Sequence, residues 1–318
     1  MARTPKTLPD GTPLLTTPLG TRIKRAWQLY ILVLPSVIWL AIFAYWPMYG
    51  VQIAFRNYTA TKGITGSDWV GLAHFERFVM SAQFGMLLWN TIALSLYELI
   101  AAFPVPIILA LALNAVRQKY FAKYVQLITY APNFISAVVV VGIMVMLLDP
   151  RTGIVNIALH AMGLPGPDFL NDAGWFRHLY VWSGVWQSAG FSAIIYLAAL
   201  SSVAPELHEA AQVDGANRLR RIFHVDLPAI WPIATILLIL QVGQILSVGF
   251  EKVLLMQTDL NRSVSEVIDT YVYRVGLMAQ LPQYSYATAI GLFKSIVGML
   301  LLLLVNWFAK RTSNNGLF

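Results

Sequence analysis

Residues Pro205–Pro228 read PELHEAAQVDGANRLRRIFHVDLP. Pro205 suits the first turn of a helix, where its missing N–H would have had no partner anyway. Glu206 and Glu209 fall near that helix's N-terminus, where unpaired amides favour negative charge. Leu207, Ala210 and Ala211 share one face at spacings of three and four. Gly215 permits a left-handed or tight turn. Asn217 is placed to cap a second short helix, which carries Leu219, Ile222 and Phe223 on one side and projects Arg218, Arg220 and Arg221 elsewhere. Pro228 stops or bends the chain where the next apolar run begins. The stretch predicts a helix–turn–helix knob, and Ala210 and Ala211 are small enough for another surface to dock closely.

The surrounding sequence gives this knob a setting. Of 318 residues, 58% are hydrophobic and 12% charged, and the mean hydropathy is +0.63. Soluble domains carry about a quarter charged residues, so a bilayer is implied as part of the solvent. Six stretches approach the roughly 20 apolar residues that a bilayer core requires. They are Trp27–Tyr49, Leu87–Val116, Tyr124–Leu148, Leu179–Val203, Ile230–Phe250 and Tyr284–Phe308. The expected fold is all-α, a polytopic membrane bundle of six transmembrane helices spanning 27–310, with the second kinked at Pro104 and Pro106. Residues 1–26 read as a flexible cytoplasmic tail without the marks of a secretory signal, and 311–318 as a second cytoplasmic tail. The segments sharing a side with the knob hold thirteen Lys and Arg against five acids, and the opposite segments eight against nine. Positive charge stays inside, so the knob and both termini are expected in the cytoplasm. The net charge of +7 thereby follows topology, and nucleic acid is not an expected partner.

The knob resembles the EAA motif of ABC importer permeases: Glu-Ala-Ala, three residues, Gly, nine residues, Ile-x-Leu-Pro. Here it reads Glu209-Ala210-Ala211, Gly215, then Val225-x-Leu227-Pro228, with Val225 in place of Ile. Leu34-Pro35 and Tyr45-Trp46-Pro47 match the family core, and the run from Ile268 to Lys310 resembles the branch that imports polysaccharide fragments, with alginate as the named candidate cargo. The resemblance implies that Glu209, Ala210, Ala211, Gly215, Leu227 and Pro228 form the element that docks on an ATPase subunit. It also implies a second permease that is a distinct homologue, two ATPase subunits holding ATP and magnesium, and an extracytoplasmic binding protein that delivers an oligosaccharide, all at the bacterial inner membrane. It implies alternating access, with no cofactor bound by this chain itself.

The absences agree with that division of labour. No Gly is followed by Lys, so no phosphate-binding loop exists. The chain has no cysteine, and its five histidines show no metal-ligand spacing. No catalytic site is expected. Polar groups within spans are costly and so point to a bundle interior or pathway. Glu98, Gln187, Gln241, Gln244 and Lys294 are the pathway candidates, together with Asn90, Ser188 and Asn306. Glu98 and Lys294 fall at similar depth, which admits either a structural ion pair or a Lys294 that attracts a substrate carboxylate. Trp182 and Trp186 could stack on sugar rings, or could simply be interface aromatics. In Arg262–Leu281 apolar residues recur at helical spacing, so an external or interfacial helix is expected there. Two other function classes were weighed: an ion-coupled secondary transporter using Glu98, and a membrane scaffold without transport.

Overall fold

The computed structural model describes residues 26–313 and divides between Gln52 and Ile53 into two compact units. The tails expected at 1–26 and 311–318 lie almost wholly outside the described residues. Residues 311–313 continue the last helix. In the first unit, helix Trp27–Leu40 passes into a π-helical turn, Ala41–Tyr45, and then into the short helix Trp46–Met48.

That π turn has a chemical cause which recurs in the second unit. Pro47 has no N–H to give the carbonyl four residues back, so the ladder slips by one and Trp46 N–H reaches Ala41 O. Pro228 acts likewise, with Leu227 N–H reaching Ile222 O across the turn Ile222–Asp226. The expected stop at Pro228 is therefore corrected. The short helix Arg218–Arg221 runs through the π turn into helix Leu227–Gly243.

The second unit, from Ile53 on, holds the rest of the bundle. Helices Phe84–Ala102 and Pro104–Ala115 form one long element jointed at Phe103, as Pro104 and Pro106 require. The fourth predicted span begins six residues earlier than expected, at Ala173, because Asp172 caps it by accepting the Gly174 N–H at 2.8 Å. The last helix runs Tyr284–Ser313. Among the described residues, five helices are long and apolar enough to cross a membrane, or six if one bent pair is a single span.

That bent pair replaces the straight third span expected at 124–148. Helix Lys119–Tyr130 ends in a tight turn at Ala131–Phe134, and Ala137–Leu148 departs at 101°. Pro132 withdraws a donor, Ile135 and Ser136 are extended, and the Ser136 side chain starts the second helix by accepting from Val139 N–H. The fifth span is also shorter than expected. It ends at Gly243, and a separate helix, Phe250–Met256, follows. The chain turns after the third span at Asp149, whose carboxyl is held below its ordinary range by the backbone N–H groups of Thr152 and Arg151 and by the Thr152 hydroxyl.

Three apolar clusters hold this unit together. One packs Leu94 and Ala101 against Phe176, Val181 and Val185 and against Val253 and Val267. A second joins Ile107 and Ala110 to Ala193, Tyr196 and Leu200, and to Ile230 and Ala234. A third sets Phe78, Leu87 and Ile268 against Tyr286 and Ile290. The stretch expected to form an external helix is helical at Arg262–Ser265 and from Ile268 through Met278, and its periodic apolar side chains Val267, Ile268 and Tyr271 are buried.

Helix Ala173–Ser201 is central to the first two clusters, and its contact with helix Lys119–Tyr130 is closest at Gly190. A Cβ there would overlap the backbone carbonyl of Thr129. Gly190→Ala should cost about 1–3 kcal/mol through forced displacement, read as a lower unfolding midpoint in detergent. Gly142, with open space around it in a helix interior, is the control. Gly142→Ala should leave the midpoint level or raise it.

Candidate coupling and translocation sites

The knob forms as its residues require. Helix Pro205–Val213 ends where Gly215 takes φ +76°. Ala216 N–H donates to Ala211 O at 2.8 Å and Gly215 N–H to Gln212 O at 3.0 Å, the two bonds of a left-handed helix terminator. Asn217 Oδ1 then accepts the Arg220 N–H at 2.9 Å and opens the next helix. Glu209, Ala210, Gly215 and Pro228 are exposed, while Ala211 and Leu227 are half-buried. The six motif residues thus lie on a protruding helix, its terminating turn and the start of the following span.

At the base of the knob, Asp226 is 5% exposed. His208 Nε2 lies 3.3 Å from Asp226 Oδ1, and Asn114 Nδ2 donates to the same oxygen at 3.4 Å. These groups border a cleft of about 410 Å³ whose rim also carries Arg117, Arg218 and Arg221.

A second cavity, of about 390 Å³, opens between helices Phe84–Ala102, Ala173–Ser201 and Leu227–Gly243. Glu98, Gln241 and Gln244 line it, with Ser95, Ser188 and Ser247. Three of the seven pathway candidates therefore meet in one chamber with apolar walls and several convergent polar groups, the common form of a small-molecule site.

The other four do not join them. Lys294 does not pair with Glu98. Its Nζ reaches both carboxylate oxygens of Asp269, at 2.6 and 2.7 Å, tying the last helix to the helix Ile268–Tyr273. Gln187 donates to Ile135 O at 2.6 Å and so holds the break in the bent pair. Trp182 is half-exposed and donates through Nε1 to the Tyr97 hydroxyl at 3.0 Å. It borders a shallow recess with Asp172, Trp175 and His178, apart from the chamber. Trp186 is likewise half-exposed and lines neither cavity. Asn90 donates to the carbonyls of Ser263 and Glu266 and accepts from Arg177, so it too is a structural staple.

The group that stands near Glu98 is Lys252, which sequence reasoning had counted among external charges. Its Nζ donates to Tyr180 O at 3.0 Å and lies 5.0 Å from the Tyr180 ring centre. Lys252 Nζ and Glu98 Oε1 both border Gly184, 3.4 and 3.7 Å from where a Cβ would project. Fixing the fifth span's end at Phe250 hid this. The helix breaks at Gly243 and carries Lys252 back into the bundle, where it is 8% exposed. The pairing of His208 with Asp226 was also missed, since eighteen positions separate them and only the fold brings them together.

The family described as binding-protein-dependent transport system inner membrane component matches residues 102–314, which include the whole knob and the helices Ala173–Ser201 and Leu227–Gly243 that border the chamber. The chain belongs to that family. It is thus a permease component of the inner membrane, and the ion-coupled and scaffold readings are set aside. It is 46% identical over 290 residues to the polygalacturonan/rhamnogalacturonan transport system permease YteP of Bacillus subtilis, covering 91% of this chain and 90% of that one. It is 43% identical to the protein LplB of the same organism, covering 96% and 97%. Among solved structures it is similar to a chain of a bacterial alginate ABC transporter in complex with an alginate pentasaccharide-bound periplasmic protein. The TM-score is 0.86 at 42% identity, with 95% of this chain and all of that chain covered.

The Lys294–Asp269 pair gives Lys294 a structural partner other than Glu98. Lys294→Gln leaves Asp269 half-buried without its cation and should cost about 1–3 kcal/mol. The unfolding midpoint should fall, and Asp269→Asn in the same chain should recover part of the loss. Uptake of acidic oligosaccharides should fall no further than the amount of folded chain does.

Proposed function

We propose that this chain is one of two transmembrane subunits of an ATP-driven importer for acidic, uronate-containing oligosaccharides. The second transmembrane subunit is a related but distinct chain. Two ATPase subunits bind ATP and magnesium and dock from the cytoplasm on the knob, and a binding protein outside delivers the sugar. Both termini lie in the cytoplasm. The observation that carries this reading is the protruding Glu209–Ala210–Ala211 helix, with its Gly215 terminator, on a chain more than 40% identical along nearly its full length to a polygalacturonan/rhamnogalacturonan permease and to an alginate-transporter chain. Small residues on an exposed helix suit a cleft in a partner, and Glu209 supplies a charge at its rim. The chamber around Glu98, Gln241 and Gln244 is the proposed passage, its amides and hydroxyls matching sugar hydroxyls. Lys252, beside Glu98, offsets the one carboxylate that would repel an acidic cargo.

The test is a reconstituted complex in proteoliposomes with loaded binding protein. Alginate or oligogalacturonate oligomers should raise ATP hydrolysis and accumulate inside the vesicles, whereas neutral glucose oligomers should do neither. Equal responses to both would remove the acidic assignment, and a complex indifferent to ATP would remove the importer assignment.

The knob carries its own prediction. Gly215 needs φ +76°, which proline's ring forbids by fixing φ near −65°. Gly215→Pro should insert into the membrane at the normal level yet lose transport by roughly tenfold or more, the scale of the ~1–3 kcal/mol that an incompatible backbone residue costs. Vesicle uptake, scaled to chain content, measures it.

A further inference from the structure

Glu209, Ala210 and Gly215 are exposed on the knob, and nothing about them says how a push there would reach the spans. Helix Pro205–Val213 has no buried residue. Its two ends are turns: Ser202–Ala204 on one side and Asp214–Asn217, with its left-handed glycine, on the other. Turns of this kind yield easily, and a helix attached by turns alone would swivel under load.

One polar contact ties this helix to the spans. Asp226 Oδ1 meets His208 Nε2 from the knob helix at 3.3 Å and Asn114 Nδ2 from the end of helix Pro104–Ala115 at 3.4 Å. Asp226 itself is the last residue of the π turn leading into helix Leu227–Gly243. A single carboxylate oxygen therefore links the knob to the second and fifth spans. Asp226 is 5% exposed, and the His208 side chain 27%, so water competes weakly for the contact. The π turn, forced by Pro228, sets the register of Asp226 here. With an ordinary α turn its side chain would be rotated by about 100° about the helix axis, away from His208.

We propose that Asp226, clasped by His208 and Asn114, is the positioning residue that makes the knob rigid with the second and fifth spans, so that ATPase movement reaches the passage instead of being absorbed at the turns. This rests on the reading of the knob as the ATPase-docking element. His208 brings its imidazole Nε2 to this joint, and Arg117, Arg218 and Arg221 are the charged side chains facing the cleft. The three arginines sit on the segment after Ala115 and on the helix Arg218–Arg221, so none of them can replace the tie to the knob helix that His208 provides.

The experiment measures sugar imported per ATP hydrolysed in the reconstituted complex. His208 is on an exposed helix, so its variants keep the fold testable even if Asp226→Asn fails to assemble. His208→Leu should lower the ratio roughly three- to tenfold, the loss expected from removing one polar partner of a buried carboxylate. His208→Lys, which offers an ammonium donor to the same carboxylate, should keep most of it. Asp226→Asn should match His208→Leu, and the double variant should be no worse than either alone. A normal ratio in His208→Leu, or a ratio equally poor in His208→Lys, overturns the proposal. Glu209→Ala separates the two levels. If it uncouples while His208→Leu does not, only the clasp is wrong. If neither uncouples, the docking role of the knob fails with it.

Discussion

Inside a bilayer no water is present to complete a broken helix, so every interrupted backbone must be satisfied by protein. This constraint organises the second unit. The chain breaks its helices at 131–136, at 244–249 and at 257–267. Each break is met by a side chain from an intact helix. Gln187 donates to Ile135 O at the first. At the second, the Tyr180 hydroxyl accepts Gly249 N–H at 3.0 Å, and the Tyr180 carbonyl accepts Lys252. At the third, Asn90 donates to Ser263 O and Glu266 O, while Thr91 Oγ1 accepts Ile268 N–H at 3.1 Å. Helices Phe84–Ala102 and Ala173–Ser201 thus act as the frame on which the broken segments hang, and the broken segments shape the chamber between them.

The same constraint explains what could and could not be read from the sequence. The knob was legible almost to the residue, because capping, turn and proline chemistry are local. Pro205 starts the helix, Gly215 ends it and Asn217 caps the next, each within one turn of its partners. Span number and approximate position were legible from apolar length alone. The breaks were not, since Ile135 and Ser247 sit in runs as apolar as any helix, and the residues that compensate them are 52 and more positions away. That distance also misled the reading of polar side chains. A polar group in a span signals a bundle interior without saying whether it faces cargo or an exposed carbonyl. Gln187 and Asn90 serve carbonyls, whereas Gln241 and Gln244, on the last turn of a helix that stops, are left facing the chamber.

Charge shows the same division. Lys294 is placed by its depth in a span, whereas Lys252, just past the predicted end of the fifth span, counts with the outer charges. Lys294 belongs to a continuous helix, and its partner Asp269 lies on a segment that folds back against it. Lys252 lies beyond a break, so counting 1.5 Å per residue from the predicted span end no longer gave its depth. A buried ammonium requires compensation. Lys252 finds it in a carbonyl, a ring face and the nearby Glu98 across the bare Gly184 backbone. Glycine at 184 is what lets the two charges approach one strip of helix surface.

Between the chamber and the knob runs a long helix without an interruption. Ala173–Ser201 is 29 residues, about 43 Å of continuous hydrogen-bonded rod at 1.5 Å per residue. Its middle borders the chamber through Ser188, and its end is three residues from Pro205. Gly190 lets a neighbouring helix backbone pack against it closely, and packed interiors transmit displacement because they have few voids to absorb it. The rod holds no proline, whereas Pro104, Pro106, Pro132, Pro228 and Pro232 lie in helices of the same unit that are jointed or broken. On the proposed reading, a stiff member joins the site of force to the site of passage, and the jointed members surround it. Conformational change then concentrates where the ladder is already interrupted, and there the neighbouring side chains already hold the freed backbone groups that movement would otherwise leave bare.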